Sequence, residues 1–367
     1  MNEADTRIRK LRVRAVNVPM GRPVHTSGGA VTSAPYVLLD LERDDGAVGS
    51  SYIFCYTPRL LAPMCSLLNE LADMLAGASA APMALEGTLG AAFRLAGYQG
   101  LAGWAASGID MAAWDAMARA AGLPLARLLG SECLPIPAYN SCGLGIIGAQ
   151  KAGQEARDLT APGFHAIKVR LGYPTIAEDL AVVEAVRGAV GPGVTLMSDY
   201  NQSLSVPEAQ ARTAALAQIP GTDGLYWVEE PTRFDDYAGH ADIRAASPLP
   251  IQMGENCWGP TDMAKALDAG ACDFFMPDLG KILGVTGWMR AVGLATPRGL
   301  PLSSHLYPEV SAQVLAATPT RHWLEYVDWA NPILRDPLEL KDGKALPATT
   351  PGSGIAWDEA AVAKYAA

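Results

Sequence analysis

Three acidic residues occupy equivalent places in three successive runs of strand-like sequence. Asp199 lies in VTLMSDYN, Glu229 in LYWVEEP and Glu255 in PIQMGEN, and the length of one strand plus one helix separates each from the next. In a barrel of parallel strands, residues at such positions converge at one end, where active sites form. Three carboxylates that meet there repel each other unless a cation lies between them, and oxygen-only ligation favours Mg²⁺. The spacing therefore predicts a magnesium-dependent enzyme.

Two cations lie on an earlier strand-like run, HAIKVRLG. Lys168 and Arg170 are two residues apart, so their side chains point the same way on a strand. The alternative is an ordinary alternating strand with exposed charges, but neither face of a barrel strand is freely solvated. We therefore predict that both cations face the barrel axis.

A carboxylate and an imidazole follow at the ends of two further runs, one strand–helix unit apart. Asp278 ends FFMPDLG and His305 ends PLSSHL. A carboxylate bonded to imidazole fixes the tautomer and raises the basicity, which suits a general base; the alternative is a histidine buried for packing. Glu325 in the next run, HWLEYV, can donate a hydrogen bond to a developing oxyanion if it is protonated. Asn201 and Ser141 are candidates for hydrogen bonds to the substrate.

Together these residue types define a reaction class. A metal ion and a lysine neutralise a substrate carboxylate, a base removes the adjacent α-proton, and the metal with an acid stabilises the enediolate. The predicted substrate is a small 2-hydroxy carboxylate. A non-catalytic binding protein on a barrel scaffold is the rival, and the intact set of acids and base disfavours it.

The elements that must position these residues can be read along the chain. Residues from about 7 to 60 read as strands with a hairpin at Asp44-Asp45-Gly46, and residues from about 58 to 130 have helical spacing. After Pro135, eight short β-rich runs alternate with helical segments, which predicts a parallel sheet closed into a barrel. The helices have start signals at Thr175 with Glu178, at Ser205 with Pro207, and at 260–262.

These patterns predict three parts of the chain. Residues 1–132 form an N-terminal α+β capping domain and residues 133–334 the catalytic barrel. Residues 335–367 form a C-terminal segment, with a turn at Asp342-Gly343, that packs back on the capping domain.

Composition excludes several classes of protein. The 367 residues are 50% hydrophobic, which is enough for one large barrel and a smaller domain. The net charge of −10 argues against binding to nucleic acid or to anionic membrane surfaces. The six cysteines include no CxxC pair, which indicates free thiols in a reducing cytosol. The N-terminus is charged and no apolar run reaches roughly 18 residues, so we predict a cytoplasmic location.

Over essentially its whole length the chain resembles the mandelate racemase/muconate lactonizing enzyme family of the enolase superfamily. The stretches that carry the resemblance include RAVNVPMGRPVHT, GIDMAAWDA, SDYNQSLSVPEA, WVEEPT, PDLGKILGVTGW, SSHLYPEVSAQVLAATPT and HWLE. The resemblance implies an α/β fold, a modified TIM (β/α) barrel with an N-terminal α+β capping domain. It also implies a homo-oligomer, either an octamer or another even-numbered assembly.

The resemblance further implies roles for individual residues. One group holds Mg²⁺, a second group carries the proton transfers, and a third group contacts the substrate, partly from the capping segments RPVHTSGGAVTSAP and SSYIFCYTP. The metal ligands are Asp199, Glu229 and Glu255; the catalytic residues are Lys168, Arg170, Asp278, His305 and Glu325; the substrate contacts are Ser141, Asn201, Lys168, Glu325, His25 and Tyr56.

One departure from the family pattern concerns the second base. The family racemase has Lys-x-Lys on this strand, with the second lysine acting on the opposite face of the substrate, whereas this chain has Lys168-Val169-Arg170. Arginine stays protonated, because its pKa is above about 12. The whole-chain resemblance favours a racemase or epimerase, an isomerase. The alternative is an acid-sugar dehydratase, a lyase, that uses His305 as its single base.

The capping loop argues against a sugar acid as the substrate. Residues 27–31 are small and rather apolar, and Tyr52, Phe54 and Tyr56 suit an aromatic or small apolar side chain. Sugar acids need several polar groups to hold their hydroxyls. A mandelate-like substrate has no β-hydroxyl and cannot be dehydrated.

Overall fold

The computed structural model describes residues 6–26, 28–219 and 225–367. Its first part contains an antiparallel sheet followed by helices. The strands are β1 (Ile8–Thr26), β2 (Gly29–Arg43) and β3 (Val48–Phe54), and the helices are α1 (Leu61–Leu75), α2 (Pro82–Ala92), α3 (Gly100–Ala120) and α4 (Leu125–Leu128). The predicted hairpin is confirmed, because the Arg43 N–H donates to Ala47 O at 2.9 Å and Gly46 has a φ of 87°.

Strands and helices alternate through the second part, as the sequence predicted. In chain order they are β4 (Ile136–Asn140), α5 (Ala149–Thr160), β5 (Ala166–Arg170), α6 (Ile176–Val190), β6 (Thr195–Asp199), α7 (Val206–Leu216), β7 (Val228–Glu229), α8 (Tyr237–Ala246), β8 (Ile251–Met253), α9 (Gly259–Asp268), β9 (Phe274–Phe275), α10 (Gly284–Ala295), α11 (Pro308–Ala316) and β10 (Leu324–Tyr326). The predicted start signal of α6 is present: Thr175 Oγ1 accepts from Glu178 N at 3.2 Å, and Glu178 Oε2 accepts from Thr175 N at 2.9 Å.

The strands close into a barrel. Parallel pairing runs from β4 through β9 in chain order, and β10 pairs with β4 on its other side. The run PLSSHLY forms no continuous strand; single parallel bridges join Leu302 to Phe275 and to Arg321. Pro301 has no N–H to donate, which limits the ladder at this point. The predicted fold class is therefore confirmed, with one of the eight runs reduced to bridges.

The GIDMAAWDA motif on α3 fastens the first part to the rest of the molecule. Asp110 accepts a hydrogen bond from Thr286 N, in α10, at 3.0 Å. Asp115 accepts from Ser50 N, in β3, at 2.8 Å and from Ser353 N, near the end of the chain, at 2.6 Å. Both carboxylates are buried, so these bonds replace water that neither group can reach.

The C-terminal segment contacts both of the other parts. It contains β11 (Glu339–Lys341), β12 (Lys344–Leu346) and α12 (Glu359–Lys364). β12 adds to the barrel sheet by antiparallel pairing with β4, and Ala366 forms a bridge with Val16 in β1. The domain boundaries stay predictions. Within the described ranges, no helix has the length and apolar character needed to cross a membrane.

Candidate active site

The three predicted metal ligands meet at the carboxyl ends of three neighbouring strands. Asp199 and Glu229 are the last residues of β6 and β7 and pair in register, and Glu255 follows β8 by two residues. One carboxylate oxygen from each of the three residues lies within 4.8 Å of the others, and all three side chains are buried. Buried carboxylates at this separation require a cation, and an all-oxygen donor set fits Mg²⁺.

The pKa of Glu229 shows the effect of placing three carboxylates close together. Burial raises it well above its usual value, the charge of Lys168 opposes that shift, and the neighbouring Asp199 and Glu255 raise it further. A divalent cation among the three carboxylates would favour their charged forms. The residues present therefore fit the ion.

Lys168 lies between the metal ligands and Glu325. Its Nζ is 2.9 Å from Glu229 Oε1, 3.3 Å from Asp199 Oδ2 and 2.8 Å from Glu325 Oε1. The side chain is 1% exposed, so its charge is compensated entirely within the site. Burial would lower the pKa of Lys168, but the surrounding carboxylates, Glu229 first, raise it well above the usual value. These surroundings favour the charged form of Lys168.

His305 and Asp278 form the predicted pair. His305 Nδ1 lies 2.5 Å from Asp278 Oδ2, and its Nε2 lies 3.1 Å from Glu255 Oε2. The Asp278 contact leaves Nε2 as the atom that faces the reacting group. Burial would lower the pKa of His305, but the charges of Glu255, Glu325 and Asp278 raise it to about 9. A cation bound by Glu255 would weaken that carboxylate's pull on the imidazole and bring the pKa back toward neutrality.

The surroundings of Glu325 favour its charged form. Burial would raise the pKa of Glu325, but Lys168 and His305 lower it well below the usual range. Glu325 Oε2 also accepts a hydrogen bond from Leu306 N at 3.0 Å. The role of Glu325 as a hydrogen-bond donor, which requires its protonated form, stays a prediction.

Arg170 faces the barrel interior beside Lys168, as the two-residue spacing predicted, and both side chains line the same cavity. Its guanidinium is held by the loop after β4. Nη1 donates to Gly143 O at 2.7 Å, and Nη2 donates to Ser141 Oγ at 3.2 Å. Ser141 is thus engaged by Arg170 and does not line the cavity. A guanidinium fixed to two acceptors has no free lone pair and cannot accept a proton.

The remaining predicted contacts divide between those that line the cavity and one that does not. Asn201 lines it, with its Nδ2 donating to Asp199 Oδ2 at 3.0 Å and its buried Oδ1 without a partner. Tyr56 also lines it, and its buried hydroxyl has no partner. His25 is exposed, whereas Val24 and Thr26 line the cavity. Alternate residues of a strand face opposite sides, so β1 directs His25 away from the site.

The cavity has a volume of about 180 Å³, a charged floor and an apolar upper wall. The polar and charged residues of the floor are Lys168, Arg170, Asp199, Asn201, Glu255, His305 and Glu325. The wall combines residues from the first part of the chain with residues from the barrel: Val24, Val31, Phe54, Tyr56, Leu306 and Trp329. Tyr52, which was expected beside them, instead donates its hydroxyl to Glu309 at 2.7 Å.

A second layer of polar residues was not predicted as a unit. Asn256 Nδ2 donates to Glu255 Oε1 at 2.9 Å and to Glu230 Oε2 at 2.7 Å, and Lys281 Nζ donates to Asn256 Oδ1 at 2.6 Å. Lys281 Nζ also lies 4.9 Å from the centre of the Tyr56 ring. The only signal in the sequence is that these residues adjoin the carboxylates in WVEEP, QMGEN and PDLGK. This layer orients Glu255 toward the metal position.

Comparison with known proteins agrees with this fold and site. Residues 8–130 match the N-terminal domain of the mandelate racemase/muconate lactonizing enzyme family, and residues 151–361 match the family described as enolase C-terminal domain-like. The crystal structure of an enolase from Bradyrhizobium complexed with magnesium and mandelic acid is 44% identical and superposes with a TM-score of 0.94. It covers 100% of this chain and 99% of that one.

Two further relatives show the range of the family. An enolase from an alpha proteobacterium, bal199, with bound magnesium is 42% identical, with a TM-score of 0.95 and coverage of 99% and 100% of the two chains. The L-talarate/galactarate dehydratase of Salmonella typhimurium is 34% identical over 268 residues, which are 72% of this chain and 66% of that protein.

A capped barrel with three convergent carboxylates and a buried histidine–aspartate pair defines an enzyme of the enolase superfamily. Within that superfamily, the chain belongs to the mandelate racemase/muconate lactonizing enzyme family. The predicted cofactor, Mg²⁺, is confirmed by the carboxylate site together with the magnesium in the related structures. The protein is a magnesium-dependent enzyme that acts on carboxylates. The proteins it is similar to are mostly acid-sugar dehydratases, with some racemases.

Proposed function

We propose that this protein is a one-base enzyme, in which His305 removes the α-proton of a 2-hydroxy carboxylate from one face. The observation that carries the proposal is the state of Arg170, whose guanidinium is fixed to Gly143 O and Ser141 Oγ. Lys168, the other cation in the cavity, is held by three carboxylates. Neither residue offers a base for the opposite face.

One-base chemistry supports β-elimination as the overall reaction. Bound Mg²⁺ supplies positive charge for the substrate carboxylate as it gains electrons. Lys168 holds that carboxylate, and His305 Nε2 takes the α-proton, leaving an enediolate. The bond from the β-carbon to its hydroxyl then breaks, and the proton on His305 leaves with that hydroxyl as water. The resulting enol tautomerises to a 2-oxo acid. The similarity to a dehydratase of sugar diacids supports this outcome.

Racemisation is the second candidate, and a different observation favours it. The wall residues Val24, Val31, Phe54 and Trp329 present mainly apolar surface, although the buried Trp329 Nε1 has no hydrogen-bond partner and Thr26 and Tyr56 also line the cavity. The Bradyrhizobium relative binds mandelic acid, whose ring suits such a wall. This reaction requires a proton donor on the second face that the charged Arg170 does not provide.

Proton exchange distinguishes the two candidates. The protein is incubated in D₂O with Mg²⁺ and either enantiomer of mandelate or one of a panel of sugar acids, and α-hydrogen exchange is followed by NMR. We expect exchange of one enantiomer only, or formation of a 2-oxo acid with loss of water. Exchange and interconversion of both mandelate enantiomers would establish racemisation and overturn the one-base proposal.

A further inference from the structure

The loop between β4 and α5, residues 141–148, supports the end of β1. Ile146 N donates to His25 O at 2.7 Å. A Cβ on Gly145 would lie 2.5 Å from the same oxygen, so only glycine permits this approach. Arg22, also in β1, is 3.6 Å from Glu155 at the other side of the loop. The position of Val24 and Thr26 over the cavity therefore depends on the position of this loop.

Arg170 contacts the loop at three successive points. Besides its bonds to Ser141 Oγ and Gly143 O, its backbone N–H donates to Leu144 O at 2.8 Å. Leu144 is fully buried and has a φ of 52°, a left-handed conformation that a leucine keeps only when its surroundings enforce it. The rigid fork of the guanidinium suits several acceptors at fixed angles, which the single ammonium of lysine cannot satisfy together.

The partners of Arg170 are all neutral. Among residues 6–26, 28–219 and 225–367, no carboxylate oxygen comes within 4.0 Å of its guanidinium nitrogens, although the side chain is only 5% exposed. Lys168, two residues earlier, has three such partners. The two adjacent cations therefore have different tasks. Lys168 balances the charge of the site, whereas the Arg170 guanidinium donates hydrogen bonds to neutral groups of loop 141–148.

We propose that Arg170 is a positioning residue that fastens loop 141–148 and, through His25, holds the end of β1 over the cavity. At residue 170, where the family racemase has its second base, this chain then has a residue that positions the loop. The proposal rests on the proposed function only in that Val24 and Thr26 face the substrate; the contacts between Arg170, the loop and β1 do not depend on which reaction occurs.

Hydrogen exchange with mass spectrometry tests this directly on the full chain with Mg²⁺. In Arg170→Lys we expect amide exchange to rise at least tenfold in two segments, residues 143–148 and residues 20–26. We also expect mandelate to bind about tenfold more weakly by calorimetry. Arg187→Lys is the matched control, because Arg187 Nη1 likewise donates to two carbonyls, Gly191 O and Val194 O, each at 2.7 Å. That variant should leave exchange in residues 143–148 and 20–26 and the mandelate affinity unchanged.

Two results would overturn the proposal. Unchanged exchange in both segments of Arg170→Lys would show that the guanidinium does not hold the loop. Faster exchange at 143–148 with none at 20–26 would show that the loop does not hold β1. If Arg170→Lys fails to fold, Ser141→Ala removes a single acceptor, and the same two segments should then exchange about threefold faster. Neither hydrogen exchange nor mandelate binding requires turnover. These measurements can therefore contradict the positioning role of Arg170 without contradicting the one-base proposal, and the D₂O experiment can contradict the one-base proposal without contradicting the positioning role.

Discussion

His305 Nδ1 lies 2.5 Å from Asp278 Oδ2, and a parallel bridge joins the backbones of the same two residues. The backbone bridge fixes the distance between the side chains before any substrate binds. Because Nδ1 is committed to Asp278, Nε2 is the nitrogen available to the substrate. The pair is thus a preorganised base and not a flexible one.

This geometry predicts the effect of removing the base. His305→Asn should slow α-hydrogen exchange by roughly 10²–10⁴-fold, because that is the contribution of general-base catalysis by a positioned imidazole. Mg²⁺ binding by calorimetry should persist, because Asp199, Glu229 and Glu255 are unchanged in this variant. Exchange near the wild-type rate, measured by NMR in D₂O, would remove His305 from its assigned role.

The metal site can be tested with two buried glutamates, one inside the ligand group and one outside it. Glu229→Gln should weaken Mg²⁺ binding at least tenfold by calorimetry, because an amide replaces one of three anionic ligands. Glu309→Gln is the matched control. Glu309 is also buried, but its carboxylate accepts a hydrogen bond from Tyr52 and lies outside the ligand group. Its variant should stay within about threefold of the wild type. Equal affinities for the two variants would contradict the ligand set.

The hydroxyl of Tyr56 predicts a ligand contact. It is buried without a partner, which costs free energy unless a substrate oxygen completes the bond. Tyr56→Phe should therefore leave the free energy of unfolding unchanged or raise it by up to about 1 kcal/mol, while mandelate binds more weakly. Tyr139→Phe is the control, because its hydroxyl is also buried and unpartnered but does not line the cavity. Calorimetry that shows the same mandelate affinity for Tyr56→Phe as for Tyr139→Phe would exclude the contact.

Asp110 predicts a pH dependence of stability. Burial raises its pKa to about 7, although its bonds to Thr286 oppose the shift. A carboxyl whose folded pKa exceeds its unfolded value of about 3.9 binds protons more tightly when folded, so stability falls as the pH rises between about 4 and 7. Asp110→Asn cannot ionise and should lose this dependence. Urea unfolding at pH 5 and pH 8 checks it: an equal pH effect in both proteins would contradict the assignment.

The sequence predicted the convergence of the catalytic residues because strand–helix periodicity fixes where side chains emerge. Asp199, Glu229 and Glu255 needed only that rule, and the structure brings them together. Lys168 and Arg170 needed only strand alternation. The prediction that His25 contacts the substrate was wrong by one residue, because Val24 and Thr26 line the cavity instead. Nothing in RPVHTSGG indicates which alternate side chains of β1 face the cavity. A shift of one residue reverses every side chain of a strand.

The layer of Glu230, Asn256 and Lys281 could not be predicted as a unit for another reason. Polar residues that follow a ligand at a strand end carry no period of their own, so each one reads as loop sequence. Their contacts arise only once β7, β8 and β9 are adjacent. The charge of Glu325 was likewise inaccessible, because the pKa of this carboxyl depends on how close Lys168 lies and not on residue order.

The bridge between Val16 and Ala366 covers a strand edge of the first sheet. Asn17 N donates to Tyr365 O at 2.9 Å, and Ala367 N donates to Ala15 O at 3.1 Å. Without residues 365–367, this part of β1 has an unpaired outer edge. An unpaired strand edge is a template for association with other chains. Removal of residues 365–367 would therefore expose the backbone of residues 15–17 and favour aggregation.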